Sequence, residues 1–151
     1  MNKILLILFT FLGSLSLHAQ EIRWMSLEEA LARQKKAPKP IFMEVYTDWY
    51  AQCKMLDANT FRDPEVIDII NKNYYPVKFN AEGNTKVSFQ GSFFDNPSYD
   101  PNRRGRNSAH ELTNYLKVQG YPSMYILDKN GDVQTQITGY KTSDELLRYL
   151  R

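Results

Sequence analysis

Two apolar runs of strand length, Ile41 to Tyr46 and Tyr75 to Asn80, stand on either side of a stretch with helical spacing, and this order constrains the fold more than any other feature. Two strands separated by helices pair in parallel through a crossover, and such crossovers are right-handed. The first run, Ile-Phe-Met-Glu-Val-Tyr, reads as a mostly apolar central strand interrupted by one acid, Glu44. The second carries Lys78. Between them the spacing predicts a helix from near Tyr50 to about Asn59, with Asp48 placed to cap it. A second helix follows, with Asp63 as cap, Pro64 at its first position and Val66, Ile67, Ile69 and Ile70 as its buried stripe. The class is α/β.

The rest of the chain fits one domain without internal repeats. Ser26-Leu27-Glu28-Glu29 matches a capping box and starts a helix through about Gln34, before Pro38 and Pro40 stop any continuation. Ser108 to about Val118 is predicted helical. Met124 to Leu127 and Val133 to Thr138 read as strands joined by Asp128-Lys129-Asn130-Gly131-Asp132, where Gly131 suits a positive φ and falls too early for a calcium loop. Thr142-Ser143-Asp144-Glu145 is a second capping box, opening the last helix. Residues 81–107 depart from this regularity. They are rich in Gly, Asn, Ser and Pro, and only Lys86 to Phe89 and Phe93-Phe94, around Gly91, suit a small hairpin. A connection this long inside a compact domain reads as a functional insertion.

Lys3, the apolar run Ile4 to Leu12 and Leu17-His18-Ala19 read as a secretory signal peptide over residues 1–19, leaving a domain over 20–151. That predicts a periplasmic or secreted chain with no stable membrane anchor after cleavage. The leader removes one of 19 basic residues and none of 17 acidic ones, so the net charge falls from +2 to +1. A near-neutral domain gives no reason to expect nucleic acid. The local exception, Arg103-Arg104-Gly105-Arg106, reads as a solvated loop or an anion site. The single cysteine, Cys53, cannot form an internal disulfide in an oxidising compartment, so it is buried, capped, paired with another molecule or functional. With His110 as the one histidine outside the leader, a Cys/His structural zinc is excluded, and neither metal nor cofactor is expected.

Cys53 lies in Trp49-Tyr50-Ala51-Gln52-Cys53-Lys54, on the turn from the central strand into a helix. Trp-Cys-x-x-Cys-Lys at such a turn would be a thiol–disulfide site, since two thiols three apart at a helix N-terminus can close a disulfide. Here Tyr50 stands at the first cysteine position. Together with Gly120-Tyr121-Pro122-Ser123-Met124-Tyr125-Ile126-Leu127-Asp128, this stretch resembles the thioredoxin superfamily over about residues 24–151, most closely exported thioredoxin-like proteins with an insertion before the second motif.

The resemblance implies a thioredoxin-like three-layer α/β/α sandwich with a mixed central sheet and the insertion before the strand led by a cis-proline, Pro122. It implies that Glu44 is the buried acid beneath the site and Lys78 the lysine beside it. A buried carboxylate raises its pKa or bonds to such a lysine. In the family that acid moves a proton to or from the buried thiol, which makes Cys53, Glu44 and Lys78 the catalytic candidates. Tyr50 replaces the attacking thiol, and Cys53 corresponds to the shielded sulfur that acts second. Alone, Cys53 is either a core residue or a monothiol that forms mixed disulfides. A Cys53–His110 pair would make a nucleophile, although a lone histidine usually caps, packs or faces solvent. Tyr46, Trp49, Tyr50 and Tyr121 are expected to gather at the Pro122 edge, where the family binds extended polypeptide.

The leading expectation is therefore an exported protein without the dithiol. It would bind a polypeptide or partner protein at Trp49, Tyr50, Tyr121 and Pro122, with the insertion as a flap. The alternative is a monothiol disulfide oxidoreductase or isomerase-like enzyme using Cys53 in redox homeostasis. A third reading is an assembly subunit whose insertion supplies the interface.

Overall fold

The computed structural model describes residues 20–151; the leader assigned to residues 1–19 lies outside them. Helix α1 (Leu27–Lys36) precedes strand β1 (Ile41–Tyr46). Helix α2 (Ala51–Ala58), a 3-10 turn at Thr60–Arg62 and helix α3 (Pro64–Asn73) cross over to β2 (Tyr75–Asn80). A hairpin of β3 (Val87–Phe89) and β4 (Ser92–Phe94), the short α4 (Glu111–Tyr115), β5 (Ser123–Leu127), β6 (Val133–Thr138) and α5 (Ser143–Leu150) complete the chain. The main sheet has the order β2-β1-β5-β6. β1 pairs in parallel with β2, with Glu44 opposite Lys78, and antiparallel with β5, with Val45 opposite Ser123.

Strand parity divides the core into two layers. Ile41, Met43 and Val45 face Leu27 and Ala30 of α1, Val87 and Phe89 of the hairpin and Leu112 of α4. Phe42 points the other way, into a cluster of Leu56, Val66, Ile67, Ile70, Leu146 and Leu147 from α2, α3 and α5. There its ring meets Trp24, Phe61 and Tyr74 at centroid distances of 6.1 to 6.4 Å. The result is the α/β/α sandwich with a mixed sheet. Glu44 has the parity of Phe42 and so enters the core beneath α2.

Side chains start the helices. Asp63 accepts from Glu65 N–H at 2.9 Å and Val66 N–H at 3.2 Å, with Pro64 in the first turn. Thr142 and Glu145 form a complete capping box at α5. Ser26 accepts from Glu29 N–H at 3.1 Å, but the Glu29 carboxylate turns to Arg33 at i+4 instead of closing the box. Gln90 and Gly91, at φ 49° and 78°, make the two-residue turn of the hairpin.

Two further expectations about local structure are corrected. Asp48 does not cap α2: Tyr50 is the N-cap residue and makes no side-chain capping bond, while Asp48 Oδ2 accepts from Asn80 Nδ2 at 3.1 Å. The helix predicted from Ser108 to Val118 shrinks to Glu111–Tyr115. Upstream, long-range bonds hold the backbone extended: Asn107 N–H donates to Glu82, Ser108 Oγ to Asn96, and His110 N–H to the Ala81 carbonyl. Downstream, Lys117 takes a φ of 53° and ends the helix.

Candidate functional site

The turn from β1 into α2 sets the site. Tyr50 ends the extended backbone as the N-cap residue, at φ −85° and ψ 123°. Cys53, one turn into α2, points into the core and is 2% exposed. Burial pushes its thiol pKa up; the Thr47 backbone beside the sulfur offsets this in part, and the charges of Glu44 and Asp57 reinforce it. A thiol in that state is a poor nucleophile.

Glu44 lies wholly inside the protein. Burial raises its carboxyl pKa to about 8, against the pull of the Lys78 ammonium. Lys78 Nζ stands 3.5 Å from Glu44 Oε2, near enough to act as a charge, yet neither Glu44 oxygen has a hydrogen-bond partner within the protein. The neighbouring Thr47 Oγ1 is likewise buried without one. Lys78 instead directs its hydrogen bonds to Asp57, with both oxygens at 2.7 Å. Partial burial lowers the Lys78 pKa, but the charges of Glu44 and Asp57 and the Asp57 hydrogen bond outweigh it and leave it raised.

Asp57 is the member of this group that sequence reasoning missed. It lies four residues after Cys53, and that spacing places both on the helix face turned toward the sheet. Tyr46 also departs from expectation. Its ring receives the Lys78 ammonium at 4.7 Å from the centroid, and it makes no aromatic pair with Trp49 or Tyr50 among the described residues. Its parity with Glu44 turns it toward Lys78.

Trp49 and Tyr50 do meet, edge to face, with centroids 5.3 Å apart. The insertion holds Trp49 in place. Its indole N–H donates to Glu82 Oε2 at 3.1 Å, the same oxygen takes the Asn107 N–H at 3.0 Å, and the Arg106 guanidinium lies 3.8 Å from the ring centroid. Tyr121 is half-buried against the α1-side core. Its phenol pKa is raised, first by burial and then by the charges of Glu82 and Cys53. The Tyr121–Pro122 bond is cis. Pro122 is buried and its carbonyl accepts from Gly139 N–H at 2.8 Å, while the backbone N–H and C=O of Tyr121 have no hydrogen-bond partner among the described residues.

His110 serves a different purpose from the nucleophilic pair considered above. It is fully buried, its Nδ1 accepts from Leu112 N–H at 3.1 Å, and its Nε2 lies 2.7 Å from the Thr85 carbonyl. These partners require the proton on Nε2 and occupy both nitrogens, so the ring has no free atom for Cys53. It caps α4 and fastens the insertion, packing edge-on against Phe79 at 5.0 Å. The described residues contain no cluster of three or more His, Cys, Asp or Glu suited to a metal ion.

A family model described as a thioredoxin-like domain matches residues 27–151. The thiol:disulfide interchange protein DsbD of Salmonella typhi is 29% identical over 116 residues, which is 76% of this chain and 16% of that protein. DsbD of Escherichia coli strain K12 is 25% identical over 127 residues, 83% of this chain and 18% of that protein. The chain thus spans a small part of the length of these curated relatives. A thioredoxin from Thermus thermophilus superposes with a TM-score of 0.62 at 17% identity, covering 87% of this chain and 85% of that one. A putative disulphide-isomerase from Bacteroides thetaiotaomicron does so with a TM-score of 0.61 at 25% identity, covering 87% and 92%.

Proposed function

Because the chain belongs to the thioredoxin-like domain family, we propose that it is an exported member in which polypeptide binding replaces dithiol exchange. The observation that carries this reading is the pairing of Tyr50 at the N-cap of α2 with a lone thiol sealed beneath it. At that N-cap the helix dipole would favour a thiolate, and a phenol there supplies no redox electron pair. Its relatives include proteins named for thiol:disulfide interchange, and the burial and raised pKa of Cys53 weigh against the same work being done by one sulfur.

What remains is suited to recognition. Trp49 and Tyr50 present half-buried aromatic surface, the residue types most able to anchor a partner. Next to the cis bond, the backbone N–H and C=O of Tyr121, without partners among the described residues, can pair with an extended segment as an added strand would. Export rests on the leader reading of residues 1–19. In this account the bound polypeptide lies across Trp49, Tyr50, Tyr121 and Pro122, with the insertion beside it.

The test is a 15N-NMR titration with reduced, S-alkylated insulin B chain, an extended polypeptide that offers no thiol. The Trp49 indole and Tyr121 amide signals are expected to shift saturably, and the Trp24 indole, partly buried and packed against Phe61 in the opposite core layer, to stay in place. Shifts scattered over the surface, or none at millimolar peptide, would remove the proposal.

A further inference from the structure

A cleft of about 360 Å³ opens beside Trp49, between the turn before α2 and the insertion, with Asp48, Glu82, Tyr99, Arg103 and Asn107 in its walls. The Trp49 wall is fixed by the contacts to Glu82 and Arg106. Most polar groups here already have partners. Asp48 takes the Asn80 amide. Glu82 takes the Trp49 and Asn107 N–H groups. Asn107 accepts from the N–H groups of Asp100 and Ser108 and donates to the Asp100 carbonyl. Among the described residues, the side chains of Arg103 and Tyr99 have neither a hydrogen-bond nor an ion-pair partner, although both line the cleft. A guanidinium only donates, and a phenol donates readily. Asp48 and Glu82 each keep one carboxylate oxygen without a partner, whereas the unpartnered donors of the cleft are on Arg103 and Tyr99; those donors call for an acceptor, and against a guanidinium a carboxylate is the strongest polypeptide acceptor. The charges of Asp48 and Glu82 leave the Arg103 side as the place in the cleft where an anion is favoured. Arg104 and Arg106 are exposed in the same loop, also without an acidic partner among the described residues, and extend the positive rim.

We infer that this cleft is a side-chain subsite of the polypeptide face and takes the carboxylate of one Asp or Glu in the bound segment. Arg103 holds the carboxylate, the Tyr99 hydroxyl lies beside it, and Trp49 forms the apolar wall along the side-chain stem. The inference rests on the reading that this face binds polypeptide, and it adds a sequence preference to it.

A positional-scanning library of cysteine-free nonapeptides, N-acetylated and C-amidated so that no terminal carboxylate competes, tests it on the purified chain. Glu or Asp is expected to be favoured at one position by about tenfold over Gln or Asn, the size of one charge-assisted hydrogen-bonded pair. Arg103→Glu should reverse the preference at that position to Lys or Arg and leave the other positions unchanged. Because Arg103 is exposed and makes no side-chain bond, the variant keeps the fold, which near-UV circular dichroism verifies. Arg104→Glu is the control and should keep the acidic preference. Equal binding of Glu and Gln peptides, an unchanged preference in Arg103→Glu, or the same reversal in Arg104→Glu overturns the subsite while leaving the binding face standing. A library in which no peptide binds overturns both.

Discussion

Replacing Glu44 by Gln isolates the most heavily perturbed group at the site. In the folded protein the Glu44 carboxyl holds its proton up to about pH 8, against an ordinary value of 4.5. Between those two pH values the unfolded chain gives up this proton and the folded chain keeps it. The native state binds more protons across the window, so its stability falls as pH rises and levels off above about pH 8. At about 1.4 kcal/mol per pH unit, this group removes about 3–5 kcal/mol of stability over that range. Glu44→Gln cannot titrate. Its buried amide adds a fixed cost of about 1–3 kcal/mol where it lacks partners, and that cost does not change with pH. The difference in stability between the native chain and Glu44→Gln should therefore move by about 3–5 kcal/mol in favour of Gln from pH 4.5 to 8 and then stay constant. All other titrating groups are shared by the two proteins and cancel unless they touch Glu44. Lys78, which does, has a raised pKa, so the stability it contributes is present below its ordinary value of 10.5 and is lost only above it. The assay is urea unfolding followed by tryptophan fluorescence at half-unit pH steps, with equal m-values as the check on a common unfolded state. Parallel stability curves for the two proteins would refute the claim that Glu44 is a neutral acid in the folded core.

Two further outcomes follow from the same geometry. His110→Ala removes the bonds to Thr85 and Leu112 from a fully buried position; it should cost about 2–4 kcal/mol in urea unfolding and speed amide exchange at Leu112, and a loss under about 1 kcal/mol would show that the histidine does not fasten the insertion. Tyr50→Cys restores a thiol at the N-cap of α2, three residues before Cys53; the folded variant should reduce insulin disulfides above the native baseline, and an inactive variant with two titratable thiols would mean that the frame has lost redox geometry.

What could be read from the chain was local. The two core strands, the caps at Ser26, Asp63 and Thr142, and the Gln90-Gly91 turn depend on residues close together in sequence, and each formed as its side chains dictate. Glu44 and Lys78 were brought together by the family resemblance, and the parallel register sets them opposite one another. What escaped was decided over long range. Asp48 is drawn from α2 by Asn80, 32 residues away. Residues 107, 108 and 110 are held out of α4 by Glu82, Asn96 and Ala81. Asp57 had a signal in its spacing from Cys53, but its hold on Lys78 depends on how closely α2 packs over β2. The clamp on Trp49 joins Glu82 and Arg106, which meet only when the insertion folds back over the turn.

The state of Cys53 tests the central claim most directly, because a buried and protonated thiol separates a binding face from a redox centre. Iodoacetamide labelling of the folded chain, followed by mass spectrometry from pH 6 to 10 and compared with the chain in urea, measures both accessibility and ionisation. With Cys53 at 2% exposure and its pKa raised, the folded chain should label at least about 100-fold more slowly than the unfolded one, as expected when reaction requires an opening of about 3 kcal/mol or more. The onset of labelling should also lie above the free-thiol range of about 8.5. Labelling of the folded chain at neutral pH as fast as that of the unfolded chain would contradict the account and return Cys53 to the role of a working thiol.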